Sequence, residues 1–309
     1  MNNRSQESRV RSQKIKNRNL LLTFYYISLT ICCLLIAGCV STPPVLSDSH
    51  QKGIYLNQKG EDAFKKGDYN RALYFYNEAL KISHSIENTD SIAINLINMA
   101  IVYRKLNDAT NAHKCADEIS NTSNIEYHPS QLSGAAFIKA MLYMDEKKYT
   151  DAEEWADKAL SFCENNECLT EGRIYNLKAR LALLNGDLNS AIIYGTKGLD
   201  LNKGYKDHKE VANSIRIIAD AKIIMNKYEE AKRLYEDALS LDKNIGLSKK
   251  IALDLIGIGT IYFKQEMFED ALKYYQRAFL VSEGAEDQEG ISRATDLINK
   301  CMENLKSFP

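Results

Sequence analysis

Proline is scarce in this sequence. Four occur in 309 residues: Pro43 and Pro44 stand together, Pro309 is last, and Pro129 is alone between residues 45 and 308. Proline lacks an N–H and clashes with the preceding helical turn, so so long a stretch with one proline can be helical almost throughout. Histidine is also sparse and scattered (His50, His84, His113, His128, His208), with no H-E-x-x-H spacing. Neither a glycine-rich phosphate loop nor a nucleophile elbow appears. These absences leave no catalytic residue, metal-ligand set or cofactor site to nominate, and the chain reads as non-enzymatic. Paired acids such as Glu153-Glu154 and Glu229-Glu230 read as complements to helix dipoles. Apolar residues make up 45% and charged residues 26%, a balance that excludes a disordered chain.

Basic excess is confined to one end. Residues 1–19 carry Arg4, Arg9, Arg11, Lys14, Lys16 and Arg18 against the single acid Glu7. Beyond residue 38 there remain 34 basic and 40 acidic side chains. A mildly acidic body argues against a nucleic-acid partner, because phosphate binding needs a basic surface.

Residues 20–38, LLLTFYYISLTICCLLIAG, carry no charge. A positive stretch, an apolar run and small residues before a cut make a secretory signal layout. Ile36-Ala37-Gly38-Cys39 resembles the bacterial lipobox. The resemblance implies a lipoprotein signal peptide over residues 1–38, with Cys39 as lipid acceptor. Val40 after the cysteine implies sorting to an outer membrane, facing the periplasm, in a Gram-negative cell. An uncleaved transmembrane helix is the alternative, since an apolar run of about 20 residues can span a bilayer. Under either reading the remaining chain lies outside the cytoplasm, fixed to a membrane, because positive charge before the span stays inside. Residues 39–51, polar and stiffened by two prolines, read as a tether.

The body repeats itself. Six segments align on Ala72, Ala112, Ala152, Ala191, Ala231 and Ala271, at intervals of 39 or 40 residues. Twelve residues before each stands Gly60, Ala100, Ala140, Ala179, Ala219 or Gly259. Aromatic residues recur three before and four after the reference, as Tyr69, Tyr149, Tyr228 and Phe268, and as Tyr76, Tyr235 and Tyr275. Small residues let two helices approach, and aromatics fill the space left. Offsets of three, four and seven share one helix face. Five before the reference stand Gly67, Asn107, Gly186 and Asn226, residue types that tolerate the left-handed conformation ending a helix. The unit is therefore two antiparallel helices joined by a tight turn.

The segments Gly60…Gly67-Asp-Tyr-Asn-Arg-Ala72…Tyr76…Ala79 and Gly259…Phe268-Glu-Asp-Ala271…Tyr275…Ala278 resemble the tetratricopeptide repeat in a forty-residue form. The resemblance implies an all-α fold: a right-handed superhelical solenoid of about six helical hairpins plus a C-terminal capping helix. The array is expected over residues 52–286, with repeats near 53–87, 93–126, 133–166, 172–205, 212–245 and 252–285. Residues 287–309 form the cap and tail. The polar stretch 120–129 is a longer loop between the second and third repeats. The fourth repeat carries Gly195 and Gly198 in its second helix, at about 1 kcal/mol each relative to alanine, which marks it as a flexible joint.

Stacked hairpins curve, with the first helices lining the concave face. By resemblance, exposed concave positions lie eighteen, fifteen and eleven before the reference alanine. In the fourth and fifth repeats these are Arg173, Asn176, Arg180, Asn213, Arg216 and Asp220. In the second and third they are Ile94, Ile97, Ile101, Gly134, Phe137 and Met141. The expectation is a partner-binding groove with an apolar half and a polar half, arginine forks suiting carboxylates. Burial of the apolar half by neighbouring helices and plain solvation of the polar half is the alternative. The expected partner is an envelope protein or peptide held by a tethered scaffold, or, on a second reading, a small effector sensed by the array. Among the remaining cysteines, Cys163 and Cys168 bracket an inter-helix loop, and a local disulfide or two unpaired thiols both fit. Cys115 and Cys301 fall at apolar packing positions.

Overall fold

The computed structural model describes residues 46–121, 125–164 and 168–307. The signal segment and Cys39 lie outside the described residues. From Asp48 onward the described residues form one compact unit. Among the described residues there are thirteen helices and no strands. The first hairpin pairs α1 (Asp48–Lys65) with α2 (Tyr69–Ser85), and the second pairs α3 (Thr89–Lys105) with α4 (Ala109–Asn121). Then follow α5 (Pro129–Asp145) with α6 (Tyr149–Ser161), α7 (Glu171–Leu184) with α8 (Leu188–Gly204), and α9 (His208–Ile224) with α10 (Tyr228–Ile245). The sixth hairpin is α11 (Ser248–Lys264) with α12 (Phe268–Gly284), and α13 (Gln288–Ser307) closes the stack. Each helix packs on the next in sequence, and each first helix also touches the first helix of the following repeat. This is a helical-repeat solenoid. Residues 48–51, expected in the tether, are already the first turn of α1. Proline at residue 129 opens α5, where its missing N–H costs nothing.

One backbone device makes all six hairpins. Gly67, Asn107, Lys147, Gly186, Asn226 and Glu266 each stand five before a reference alanine, and each has φ between 58° and 79°. Lysine and glutamate serve here although left-handed backbone costs such residues about 1 kcal/mol or more. The chain geometry therefore outweighs local preference at two turns out of six. The residue after the turn supplies a cap in three hairpins. Asp68, Asp108 and Asp187 accept from the backbone N–H of Arg71, Asn111 and Ser190 at 3.0–3.1 Å.

The reference alanines and Ala79, Ala159, Ala238 and Ala278 are fully buried. Close approach is enforced most tightly where glycine replaces alanine. A Cβ on Gly60 would sit 2.6 Å from the Tyr76 ring, and one on Gly259 equally close to Tyr275. The glycines of the fourth repeat have the same purpose. A Cβ on Gly195 would meet Ile218 at 2.8 Å, and one on Gly198 would meet the Asn176 Oδ1 at 2.6 Å. In place of the expected flexible joint, the structure gives these residues a packing role.

A second register joins each repeat to the next. Eleven residues after the reference alanine stand Ser83, Cys163, Asn202, Asp242 and Ser282, all buried. Twelve residues further, in the following first helix, their neighbours include Asn95, Ser214 and Asp254. Asn95 Nδ2 donates to Ser83 Oγ at 3.3 Å, and Asn202 Nδ2 donates to Ser214 Oγ at 3.3 Å. At the fifth junction both members are acids. Asp242 and Asp254 are fully buried, and Asp242 is one of the groups that raise the pKa of Asp254.

Candidate binding pocket

The first helices α7, α9, α11 and α13 line up side by side and enclose a cavity of about 440 Å³. Its floor is apolar, with Leu183, Ile217, Leu253 and Ile256. Its walls carry Arg180, Arg216, Asp220, Tyr235, Lys250 and Arg293. Four cations face one carboxylate, so the pocket is electropositive.

Arg216 is committed to the protein interior. Its Nε donates to Asp254 Oδ1 at 2.7 Å, its Nη2 donates to Asp242, and its Nη1 donates to Asn213 Oδ1 at 2.6 Å. Two buried acids and one arginine leave an excess negative charge. Desolvation, the largest cause, and repulsion from Asp242 push the Asp254 carboxyl up to about 7 against the pull of Arg216. Asp242 Oδ1 and Asp254 Oδ2 are buried without a hydrogen-bond partner, so Arg216 offsets the two acids only in part.

Asp220 accepts the Tyr235 hydroxyl. Burial raises its pKa, although Tyr235, Arg180, Arg216 and Arg293 pull the other way. The Tyr235 phenol is raised well above its usual value by burial and by the Asp220 charge. Lys250 donates to Asn213 Oδ1 at 3.1 Å. Burial and then the charges of Arg216 and Arg180 bring its pKa down to about 8. Arg180 and Arg293 are exposed and make no hydrogen bond or ion pair among the described residues.

The positions singled out in the sequence divide three ways. Arg180, Arg216 and Asp220 come together in the pocket, with Asn213 behind them. Arg173 lies outside it and holds Asp207 at 2.7 Å, tying α7 to the turn before α9. Asn176 is buried, donating to Glu210 Oε2 at 3.0 Å and accepting the Ser214 hydroxyl at 2.6 Å. It is an internal joint rather than a groove residue. The expected apolar half is mostly internal packing as well. Ile97, Ile101, Phe137 and Met141 are half-buried against the cores of the second and third repeats, and Gly134 is buried beneath Ile97. Ile94 alone of this set is exposed. Adjoining first helices cover these positions because neighbouring repeats approach closely there.

Lys250, Tyr235 and Arg293 were missed. The same register carried into the sixth repeat reads Leu253, Ile256 and Thr260, all of which line the pocket. Carried one repeat further it reads Arg293, forty residues after Leu253, on the helix expected only to cover the end of the stack.

Cys163 and Cys168 are joined by a disulfide, with Cα atoms 5.4 Å apart. Both are buried, and the Ser133 hydroxyl lies 3.2 Å from the Cys163 sulfur. Cys115 and Cys301 are unpaired and buried. Burial pushes the Cys115 thiol up to about 11 and raises Cys301, so both are inert core residues. Among the described residues no helix is long and apolar enough to cross a membrane.

Stacked hairpins with a concave pocket define a helical-repeat protein. Tetratricopeptide-repeat family models match residues 53–121, 134–166 and 217–245, and the chain carries tetratricopeptide repeats. No curated protein matches the sequence. Among solved structures, the apo form of RapI superposes with a TM-score of 0.61 at 16% identity, covering 83% of this chain and 72% of that one. A Rap protein complexed with competence and sporulation factor gives 0.58 at 16%, over 84% and 78%. The apo quorum sensor NprR from B. thuringiensis gives 0.53 at 17%, over 84% and 78%. At these identities the likeness is one of fold.

Proposed function

We propose that this protein is a lipid-anchored adaptor of the bacterial envelope, tethered at Cys39, whose pocket on α7, α9, α11 and α13 holds a segment of another envelope protein. The observation that carries the reading is the pocket itself: four consecutive first helices present a cationic, partly apolar cavity with no catalytic arrangement in it. Two features support the location. The N-terminal run ends in Ile36-Ala37-Gly38-Cys39, and the Cys163–Cys168 disulfide suits an oxidising compartment outside the cytoplasm. Anchoring raises the local concentration of whatever the array binds. An outer-membrane position facing the periplasm, and service to secretin, pilus or wall-remodelling assemblies, are the settings such an adaptor fits.

A second reading, a peptide-responsive sensor, is favoured by the likeness to NprR, a quorum sensor, and to a Rap protein bound to competence and sporulation factor. A photo-crosslinking residue placed at Leu184, exposed at the pocket rim, separates the two in intact cells. Adducts with a defined envelope protein are expected. Adducts only with short peptides support the sensor, and adducts only with cytosolic proteins sink both. For the anchor, a clickable fatty acid should label the wild type and spare Cys39→Ser. Equal labelling of both would remove it.

A further inference from the structure

The first hairpin leaves open a face that every later hairpin buries. Seventeen before the later reference alanines stand Asn95, Ala135, Ile174, Ser214 and Asp254, all buried. Asn95 and Ser214 hydrogen-bond the second helix of the repeat before. In the first repeat that position is Tyr55, which is 55% exposed. Thirteen before the reference stand Lys139 in the third repeat and Lys178 in the fourth. Each is buried over an aromatic ring of its own repeat, Trp155 or Tyr194. Each also pairs with a carboxylate of the repeat before, Asp117 or Asp157.

The first hairpin has the same lysine and the same ring position without the carboxylate. Lys59 takes the lysine position and lies over Tyr55, and Phe75 takes the ring position beneath Arg71. Among the described residues no hairpin precedes this one to supply the acid. Lys59, Lys66, Arg71 and Phe75 line a cleft of about 120 Å³ together with Asp62 and Asp68. Asp68 is engaged in capping α2, accepting the Arg71 N–H at 3.1 Å. Lys59, Lys66 and Arg71 form no ion pair among the described residues. Three cations thus face one uncommitted acid, at the end of a body that is otherwise mildly acidic.

We propose that this open face of the first hairpin, with Tyr55, Lys59, Lys66, Arg71 and Phe75, rests on the anionic phosphate headgroups of the membrane that holds the chain. The proposal rests on the Cys39 anchor of the adaptor reading and adds a second membrane contact to it. Eight residues separate Cys39 from Asp48 at the start of α1, and a chain that short spans at most about 30 Å. The first hairpin is therefore the part of the array held nearest the lipid. Lysine and arginine close to an anionic bilayer are attracted to it, and tyrosine suits the boundary between headgroups and hydrocarbon. Headgroup phosphates would stand where Asp117 and Asp157 stand at the inner junctions. Resting on this end keeps the pocket of the later repeats away from the bilayer.

The test places the full-length protein, purified from membranes in detergent, on vesicles of phosphatidylcholine alone or mixed with phosphatidylglycerol. An amine-reactive reagent is applied, and each lysine is read by mass spectrometry. Lys59 and Lys66 should label at least threefold more slowly on the anionic vesicles, while Lys273 in the sixth repeat is unchanged. High salt should remove the difference, because exposed charges are screened. Lys59→Gln/Arg71→Gln should lose the protection at Lys66 with its helical circular dichroism intact, and Lys59→Arg should keep it. Flotation with both vesicle types but equal labelling overturns the headgroup contact and leaves the anchor. Flotation with anionic vesicles alone overturns the anchor and supports the face, and flotation with neither overturns both. Protection in detergent that grows with protein concentration would assign the face to a second copy of the chain and overturn the proposal.

Discussion

The ring of Tyr235 packs directly on the bare backbone of Gly257, and from that seat its hydroxyl reaches Asp220. A Cβ at position 257 would overlap the ring at Cε1 and Cζ. Three helices thus meet at one contact: α11 supplies the gap, α10 the ring and α9 the carboxyl.

Gly257→Ala should therefore destabilise the protein although alanine is the better helix former. Overpacking of this kind costs about 1–3 kcal/mol, and the gain in helix propensity offsets about 1 kcal/mol. Urea titration should show a net loss. A gain in stability would mean that the tyrosine relocates freely, and that Asp220 does not depend on it.

Arg216→Met should be among the most damaging single changes, because it strands two acids in the interior. Removing one side of a buried ion pair costs about 3–5 kcal/mol. Rebuilding the junction in the chemistry of Asn202 and Ser214, as Arg216→Met/Asp242→Asn/Asp254→Ser, should recover most of that loss. Failure of the triple variant to exceed the single one in urea would show that Arg216 acts through something other than its acids.

The same cluster sets a pH dependence. Asp254 is raised from 3.8 to about 7, so the folded chain binds more protons than the unfolded one across that window. Its contribution to stability falls as pH rises from about 4 to 7. Lys250 is lowered from 10.5 to about 8, so its penalty is complete below pH 8 and is relieved as pH rises toward 10.5. The two contributions are jointly least favourable between about pH 7 and 8. Melting temperatures from pH 5 to 10 should lose part of their acid limb in Asp254→Ser and part of their alkaline limb in Lys250→Met. Unaltered limbs in both variants would refute the assignment.

Reduction of the Cys163–Cys168 bond should lower stability modestly, since the loop it closes is short. Chain entropy for about six residues corresponds to about 2 kcal/mol. Dithiothreitol should shift the wild-type urea midpoint and leave Cys163→Ala/Cys168→Ala unmoved.

Much of the fold was legible because one alanine recurs with almost constant spacing and small residues recur twelve before it. The six hairpins and the pairing of their helices follow from that register. The turns at Lys147 and Glu266 were invisible, since neither residue type announces left-handed backbone. The buried junctions were missed for a different reason: their position repeats but their chemistry does not, running from Ser83 through Cys163 and Asn202 to Asp242. Arg216 was read as a surface residue because its two acids lie 26 and 38 residues away, on α10 and α11. The pocket was half read. Arg180 and Asp220 were found by the register, while Arg293 was lost because α13 has no partner helix and no reference alanine to align it.

The junctions also act as a key code for the order of the repeats. Serine meets asparagine after the first hairpin, asparagine meets serine after the fourth, and acid meets acid after the fifth, where only Arg216 makes the pairing tolerable. Hairpins of matching shape are consequently not interchangeable parts. Transplanting the sixth behind the first would set Asp254 against Ser83 with no guanidinium in reach, so a shuffled array should assemble poorly even though every unit in it is native.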